Sequence, residues 1–259
     1  ETDGGVHAGN KLDFQEFMIV PGGFSSFSEA LRAAVETYHE LKKILKEKYG
    51  LSAINVGDEG GYAPPMEKIR EALDTLIEAI KKAGYVPGQD IAIALDVASS
   101  QFYDVDKKVY VVEGKEFSPQ DLLELYLRLV DEYPIVSIED PFYEEDFDMF
   151  AEATRALGSK ILIVGDDLFT TNPNRLLTGI KKGAGNAVLV KVNQVGTLSE
   201  TMDVVYTAHR SGYRAIISHR SGETEDTTIS DLAVGFETGL IKTGAPARGE
   251  RTAKYNRLL

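Results

Sequence analysis

The sequence predicts an α/β fold, a TIM-like barrel of strands wrapped by helices, and three observations carry that expectation. Short runs of β-branched residues alternate with longer amphipathic segments, as parallel strands joined by helical crossovers require. The number of such units favours a closed barrel. The length of 259 residues suits one such domain, since α/β barrels of about 250 residues are commonly single units.

Taken in order, the strand-like runs are residues 17–20, 91–95, 135–138, 161–164, 187–190, 215–217 and 239–241. The first helix, 28–48, carries Leu31, Val35, Tyr38, Leu41 and Leu45 on one face, and Ser26 with Glu29 offers a capping box ahead of it. The second, 65–83, has Ile69, Leu73, Leu76, Ile77 and Ile80 as its stripe, with Pro65 suited to a first helical turn. Ser118-Pro119-Gln120-Asp121 reads as the start of a helix running to about Glu132. Further helices fit 147–157, 173–182, 198–211 and 229–236. Residues 102–112 depart from the alternation and read as a small hairpin. The first two helices follow one another with only Val56 and its glycine-rich surroundings between them, so the barrel is irregular at its start. No linker divides the chain, and residues 1–259 are expected to form one domain.

Hydrophobic residues make up 43% and charged residues 27%, an ordinary balance for a globular domain. No apolar run approaches the roughly 20 residues of a membrane span, and the N-terminus is not signal-like. A formal net charge of −13 disfavours nucleic acid as a partner. The absence of cysteine excludes thiol chemistry, disulfides and cysteine-ligated metal centres, and fits a cytoplasmic setting.

The strongest signal is what ends each strand. Run 91–95 ends in Asp96, and run 135–138 in Glu139 and Asp140. Run 161–164 leads through Gly165 to Asp166 and Asp167, and run 187–190 ends in Lys191. Run 215–217 ends in Ser218, His219, Arg220 and Ser221, and run 239–241 in Lys242. Six successive strands thus deliver ionisable groups at the carboxyl end, the face where barrel enzymes place their chemistry. Aspartate after a strand is a common helix cap, but two lysines there gain nothing from a following helix N-terminus.

Asp96, Glu139 and Asp166, on three adjacent strands, would converge and could not all stay ionised without a cation. Sparse oxygen ligands with room for water and substrate suit Mg2+ better than Ca2+ or zinc. A metal and a second lysine would push Lys191 towards a neutral base. That combination suggests proton abstraction beside a carboxylate. The turn Gly57-Asp58-Glu59-Gly60-Gly61 adds two carboxylates, although such a turn also serves as an ordinary helix connection. His209-Arg210-Ser211-Gly212 repeats as His219-Arg220-Ser221-Gly222, and the first copy reads as a structural helix stop.

His7-Ala8-Gly9-Asn10, Gln15-Glu16-Phe17-Met18, the Gly57–Gly61 turn, Leu95-Asp96-Val97-Ala98-Ser99, Ser137-Ile138-Glu139-Asp140-Pro141 and Gly165-Asp166-Asp167-Leu168 resemble enolase, in order. So do Lys191-Val192-Asn193-Gln194-Val195-Gly196-Thr197, the Ser218–Thr224 stretch and Ile241-Lys242-Thr243-Gly244. The resemblance covers nearly the whole chain. It implies a (β/α)8 barrel of the enolase type, opening ββαα before its βα units, with the first strand truncated.

It further implies reversible dehydration of 2-phosphoglycerate to phosphoenolpyruvate, a step of glycolysis and gluconeogenesis. Asp96, Glu139 and Asp166 would bind the first Mg2+. Lys191 would take the C2 proton, and Glu59, paired with Glu16, would protonate the leaving hydroxyl. Lys242 would contact the substrate carboxylate, Arg220 and Ser221 the phosphate, and His7 and His219 would line the same pocket. Racemase and cycloisomerase relatives share the metal carboxylates but commonly place their bases differently. Enolases also carry an N-terminal α+β domain, absent from this chain, whose mobile loop helps hold a second Mg2+ once substrate is bound. The resemblance leaves the activity of the chain by itself open and one barrel edge in need of a cover. The family is usually homo-oligomeric.

Overall fold

The computed structural model describes residues 2–4 and 11–259, so His7 lies outside the described residues. The strands are β1 (Thr2–Asp3), β2 (Glu16–Val20), β3 (Ala92–Asp96), β4 (Tyr103–Asp104), β5 (Val109–Val112) and β6 (Lys115–Phe117). They continue as β7 (Ile135–Glu139), β8 (Leu162–Gly165), β9 (Ala187–Val190), β10 (Arg214–Ser218) and β11 (Ile241–Lys242). The α-helices are α1 (Phe27–Tyr49), α2 (Ile69–Lys82), α3 (Pro119–Glu132), α4 (Phe147–Leu157) and α5 (Pro173–Lys182). After them come α6 (Val192–Val195), α7 (Leu198–Arg210), α8 (Thr228–Gly235) and α9 (Gly249–Leu258).

Eight strands form one sheet in the order β1-β2-β3-β7-β8-β9-β10-β11. β2 is antiparallel to both its neighbours, and the pairs from β3 to β11 are parallel. That one reversal matters for the site. Glu16 begins β2, yet it pairs with Asp96 at the end of β3, which in turn pairs with Glu139. The first residue of an antiparallel strand therefore joins the last residues of parallel ones.

The sheet curls until Lys242 of its last strand reaches Glu16, Asp96 and Glu139 of its second, third and fourth. No ladder joins β11 to β1 among the described residues. The 57–62 turn covers that gap, because Ala245 N donates to Glu59 O (3.0 Å) while Tyr62 bridges to Thr2 of β1. Gly244 is part of the fit: its φ is 81°, and a Cβ there would sit 2.6 Å from Glu59 O.

Local signals place most elements within a residue or two. Ser26 caps α1 by accepting from Glu29 N, and Ser118 with Asp121 makes both halves of a capping box on α3. The start expected at Pro65 is not seen. α2 begins at Ile69, whose amide donates to Glu113 Oε1 (2.9 Å). Met66 N instead donates to Pro64 O (2.8 Å), a tight turn over Pro65 that takes the chain out of helical geometry before Ile69. The 102–112 hairpin has a third strand, β6, and the sequence gives no warning of the short β1 or of α9. The first copy of the His-Arg-Ser-Gly repeat does close a helix: α7 ends at Arg210 and Gly212 has φ 77°.

Buried aromatic rings lock the hairpin and α3 to the barrel. Phe14, Tyr110, Tyr126 and Phe142 are fully buried in contact with one another or through Phe102. Each such ring stabilises by about 1.5–3 kcal/mol. No helix among the described residues is long and apolar enough to cross a membrane.

Candidate active site

At the carboxyl ends of the parallel strands lies a cavity of about 490 Å3, lined almost wholly by polar side chains. Glu16, Glu59, Asp96, Asp166, Lys191, His219, Arg220, Ser221 and Lys242 all face it, and Glu139 lies beneath, bonded to Lys242. Nine of the predicted site residues thus line one cavity and a tenth adjoins it, while His7 is outside the described residues.

Lys242 organises one half. Its Nζ lies 2.7 Å from Asp96 Oδ2, 3.1 Å from both Glu139 oxygens and 3.2 Å from Glu16 Oε2. Burial lowers its pKa, but the carboxyls of Asp96, Glu139, Glu16 and Glu59 outweigh it and hold the lysine well above its ordinary value. Burial, then the neighbouring Asp96 charge, raises Glu139 well above the usual carboxylate range.

Lys191 and Asp166 form the other half, with Nζ 2.5 Å from Oδ2. Burial lowers the Lys191 pKa, but the charge and hydrogen bond of Asp166 outweigh it, so without a cation the lysine is raised above its ordinary value; the neutral base expected from sequence is a property of the metal-bound site. The physical reason is the carboxylate itself, engaged by the ammonium. Asp166 Oδ1 is buried with no hydrogen-bond partner among the described residues, which suits it to a cation.

Among the described residues, the carboxylates grouped with one oxygen each within 4.8 Å of the others are Asp140, Asp166 and Asp167, a set the sequence does not single out. Asp96 and Glu139 instead converge on Lys242. Asp140 already has a task. Its Oδ1 accepts from Asp166 N (2.9 Å) and its Oδ2 from Asp167 N (2.8 Å), while its backbone holds φ 43°. Two amides on two oxygens make Asp140 the fastener of the turn that presents Asp166.

Across the cavity, Glu59 and Glu16 are a facing carboxyl pair whose titrations are pushed apart. Burial, with the charges of Glu59 and Asp96, raises Glu16 well above the usual range even though Lys242 opposes. Burial would raise Glu59 too, but His219 and Lys242 hold it far below that range. The proton shared by the pair therefore sits on Glu16. Glu59 Oε1 accepts from Ser221 Oγ (2.8 Å), and Oε2 lies 3.1 Å from His219 Nε2. Arg220 Nη1 donates to Asn193 Oδ1 (2.7 Å), which aims the guanidinium along the cavity wall.

Asp167 gives a pH prediction. Burial, then the charge of Asp166, pushes it up to about 6. Its folded value exceeds the unfolded value of about 4, so the stability it contributes is present below pH 4 and lost as pH rises through 6. Without divalent cation, Asp167→Asn is expected to match the native chain at pH 4 and to exceed it at pH 7. The gain is of order 1 kcal/mol once partial exposure is allowed for. Urea melts at the two pH values measure this, and the same difference at both would contradict it.

Residues 2–259 match the family described as enolase, C-terminal TIM barrel domain. Over 257 residues, 99% of this chain, the sequence is 63% identical to the enolases of Thermococcus kodakarensis and Pyrococcus furiosus. It is 61% identical to the enolase of Methanopyrus kandleri over the same share. The chain spans about 60% of the length of these curated relatives. Matched from end to end, with its charged groups gathered on the carboxyl face of the sheet, the chain belongs to the enolase C-terminal barrel family.

Proposed function

We propose that this chain is the catalytic barrel of an enolase, a hydro-lyase that interconverts 2-phosphoglycerate and phosphoenolpyruvate with Mg2+. One observation carries the reading: two partly buried lysines and three carboxylates at the ends of separate strands gather opposite an acid pair at a single polar cavity. That is the layout for removing a proton at one carbon and hydroxide at the next.

Asp96, Glu139 and Asp166 would hold the metal. The unpartnered Asp166 Oδ1 and the ammonium of Lys242, standing amid the other two carboxylates, mark where positive charge is wanted. Asp140, Asp166 and Asp167 are closer to one another, but the amide bonds on Asp140 leave that set poorer in free oxygens. Bound Mg2+ would offset the charge that develops on the substrate carboxylate as the adjacent proton leaves.

Lys191 is the base. Once Asp166 no longer engages its Nζ, the pull that raises its pKa is gone and burial favours the neutral amine. Lys242, freed from Asp96 and Glu139, can meet the substrate carboxylate. Arg220 and Ser221 suit the phosphate, the planar guanidinium being matched to its oxygens. Glu59 and Glu16 together deliver a proton to the departing hydroxyl, and the raised Glu16 supplies the stored one. The acidic surface and the lack of cysteine support a cytoplasmic enzyme of small-molecule metabolism, homo-oligomeric as its family suggests.

The test is direct. The intact protein carrying this chain, given 2-phosphoglycerate and Mg2+, is expected to form phosphoenolpyruvate, followed by its ultraviolet absorbance. Absence of product from protein shown to bind Mg2+ would overturn the reading.

A further inference from the structure

Arg251 sits on α9, which supplies none of the groups assigned above, and its side chain is fully buried. Its hydrogen bonds go to neutral acceptors: the carbonyls of Arg220 (2.8 Å), Ser221 (2.7 Å) and Asp58 (3.0 Å), and Nδ1 of His219. A guanidinium has donors only. The ring nitrogen facing it must accept, so a neutral His219 carries its proton on Nε2, the atom 3.1 Å from Glu59 Oε2.

We propose that Arg251 is a positioning residue, which fixes His219 as the Nε2–H tautomer, its N–H on the side of Glu59, and ties the Glu59 turn to the Arg220–Ser221 loop. The opposite tautomer would set N–H against N–H inside the protein, leaving two buried donors without acceptors. The imidazolium fares no better: burial, with the charges of Arg251 and Lys242, disfavours it and outweighs the pull of Glu59, so the ring is held below the usual histidine value. Glu59 thus has a fixed N–H 3.1 Å from one oxygen and accepts the Ser221 hydroxyl on the other, and the proton of the acid pair stays with Glu16. That last consequence bears on catalysis only through the function proposed above; the tautomer does not depend on it.

The experiment is a multiple-bond 1H–15N correlation on the full chain, labelled at histidine, at pH 8 without metal or substrate. His219 is assigned by loss of its signals in His219→Gln. The native chain is expected to show the neutral Nε2–H pattern for His219; an Nδ1–H or imidazolium pattern would overturn the proposal. In Glu59→Ala the same pattern is expected to persist, because Arg251 remains, and its loss would assign the tautomer to Glu59 instead. In Arg251→Met, of similar length but without donors, mixed tautomers are expected, and an unchanged pattern would again overturn the role of Arg251. Should that variant fail to fold, the first two measurements decide. A protein inactive on 2-phosphoglycerate that still shows the Nε2–H pattern would sink the proposed function and leave this inference standing.

Discussion

Lys191→Ala is expected to abolish exchange of the C2 proton of 2-phosphoglycerate with solvent, whereas Glu59→Gln should keep much of that exchange while blocking dehydration. The two residues act on different steps. Lys191 lies beside Asp166 on the metal side, and Glu59 lies with Glu16 on the opposite wall. Removing a positioned base typically costs about 100- to 10,000-fold, and only the base is needed to release the first proton. Deuterium incorporation followed by proton NMR in the intact protein measures the first step, and phosphoenolpyruvate absorbance the whole. Equal loss of exchange in both variants would mean that the roles are wrongly divided.

The second large effect concerns the cation. Glu139→Gln is expected to weaken Mg2+ binding by at least about 100-fold, since even the outer partners of metal ligands commonly cost 10- to 100-fold. Asp140→Asn is expected to cost about 10- to 100-fold, less than Glu139→Gln, because Asp140 serves the Asp166–Asp167 turn through its amide bonds and does not itself hold the cation. Calorimetric titration of both variants separates the two placements of the metal. A larger loss in Asp140→Asn than in Glu139→Gln would favour the Asp140, Asp166 and Asp167 group.

What could be read from sequence, and what could not, follows from how each feature is encoded. Asp96, Glu139, Asp166, Lys191 and Lys242 each directly follow, or nearly follow, an apolar run. A parallel strand delivers its last residue to a known face, so their convergence was legible. Glu16 could be assigned only by resemblance, because its place depends on β2 running against its neighbours. The ammonium state of Lys191 without a cation is not legible in sequence, because it depends on which oxygen the lysine touches, and spacing says nothing of that. Asp140 follows Glu139 in the chain, yet its fastening of a turn 26 residues away is purely tertiary. Arg251 is the extreme case. Nothing in the sequence of the final helix marks it, and its meaning comes entirely from the carbonyls and the imidazole that meet it.

The position of the bound cation tests the central claim most directly. Crystals of the chain soaked with Mn2+, an electron-rich stand-in for Mg2+, would locate it by anomalous diffraction. The peak is expected among Asp96, Glu139 and Asp166, with oxygens at about 2.1 Å and Lys242 withdrawn from Asp96 and Glu139. A peak held by Asp140 and Asp167, or none while Lys242 keeps its three carboxylates, would contradict the account.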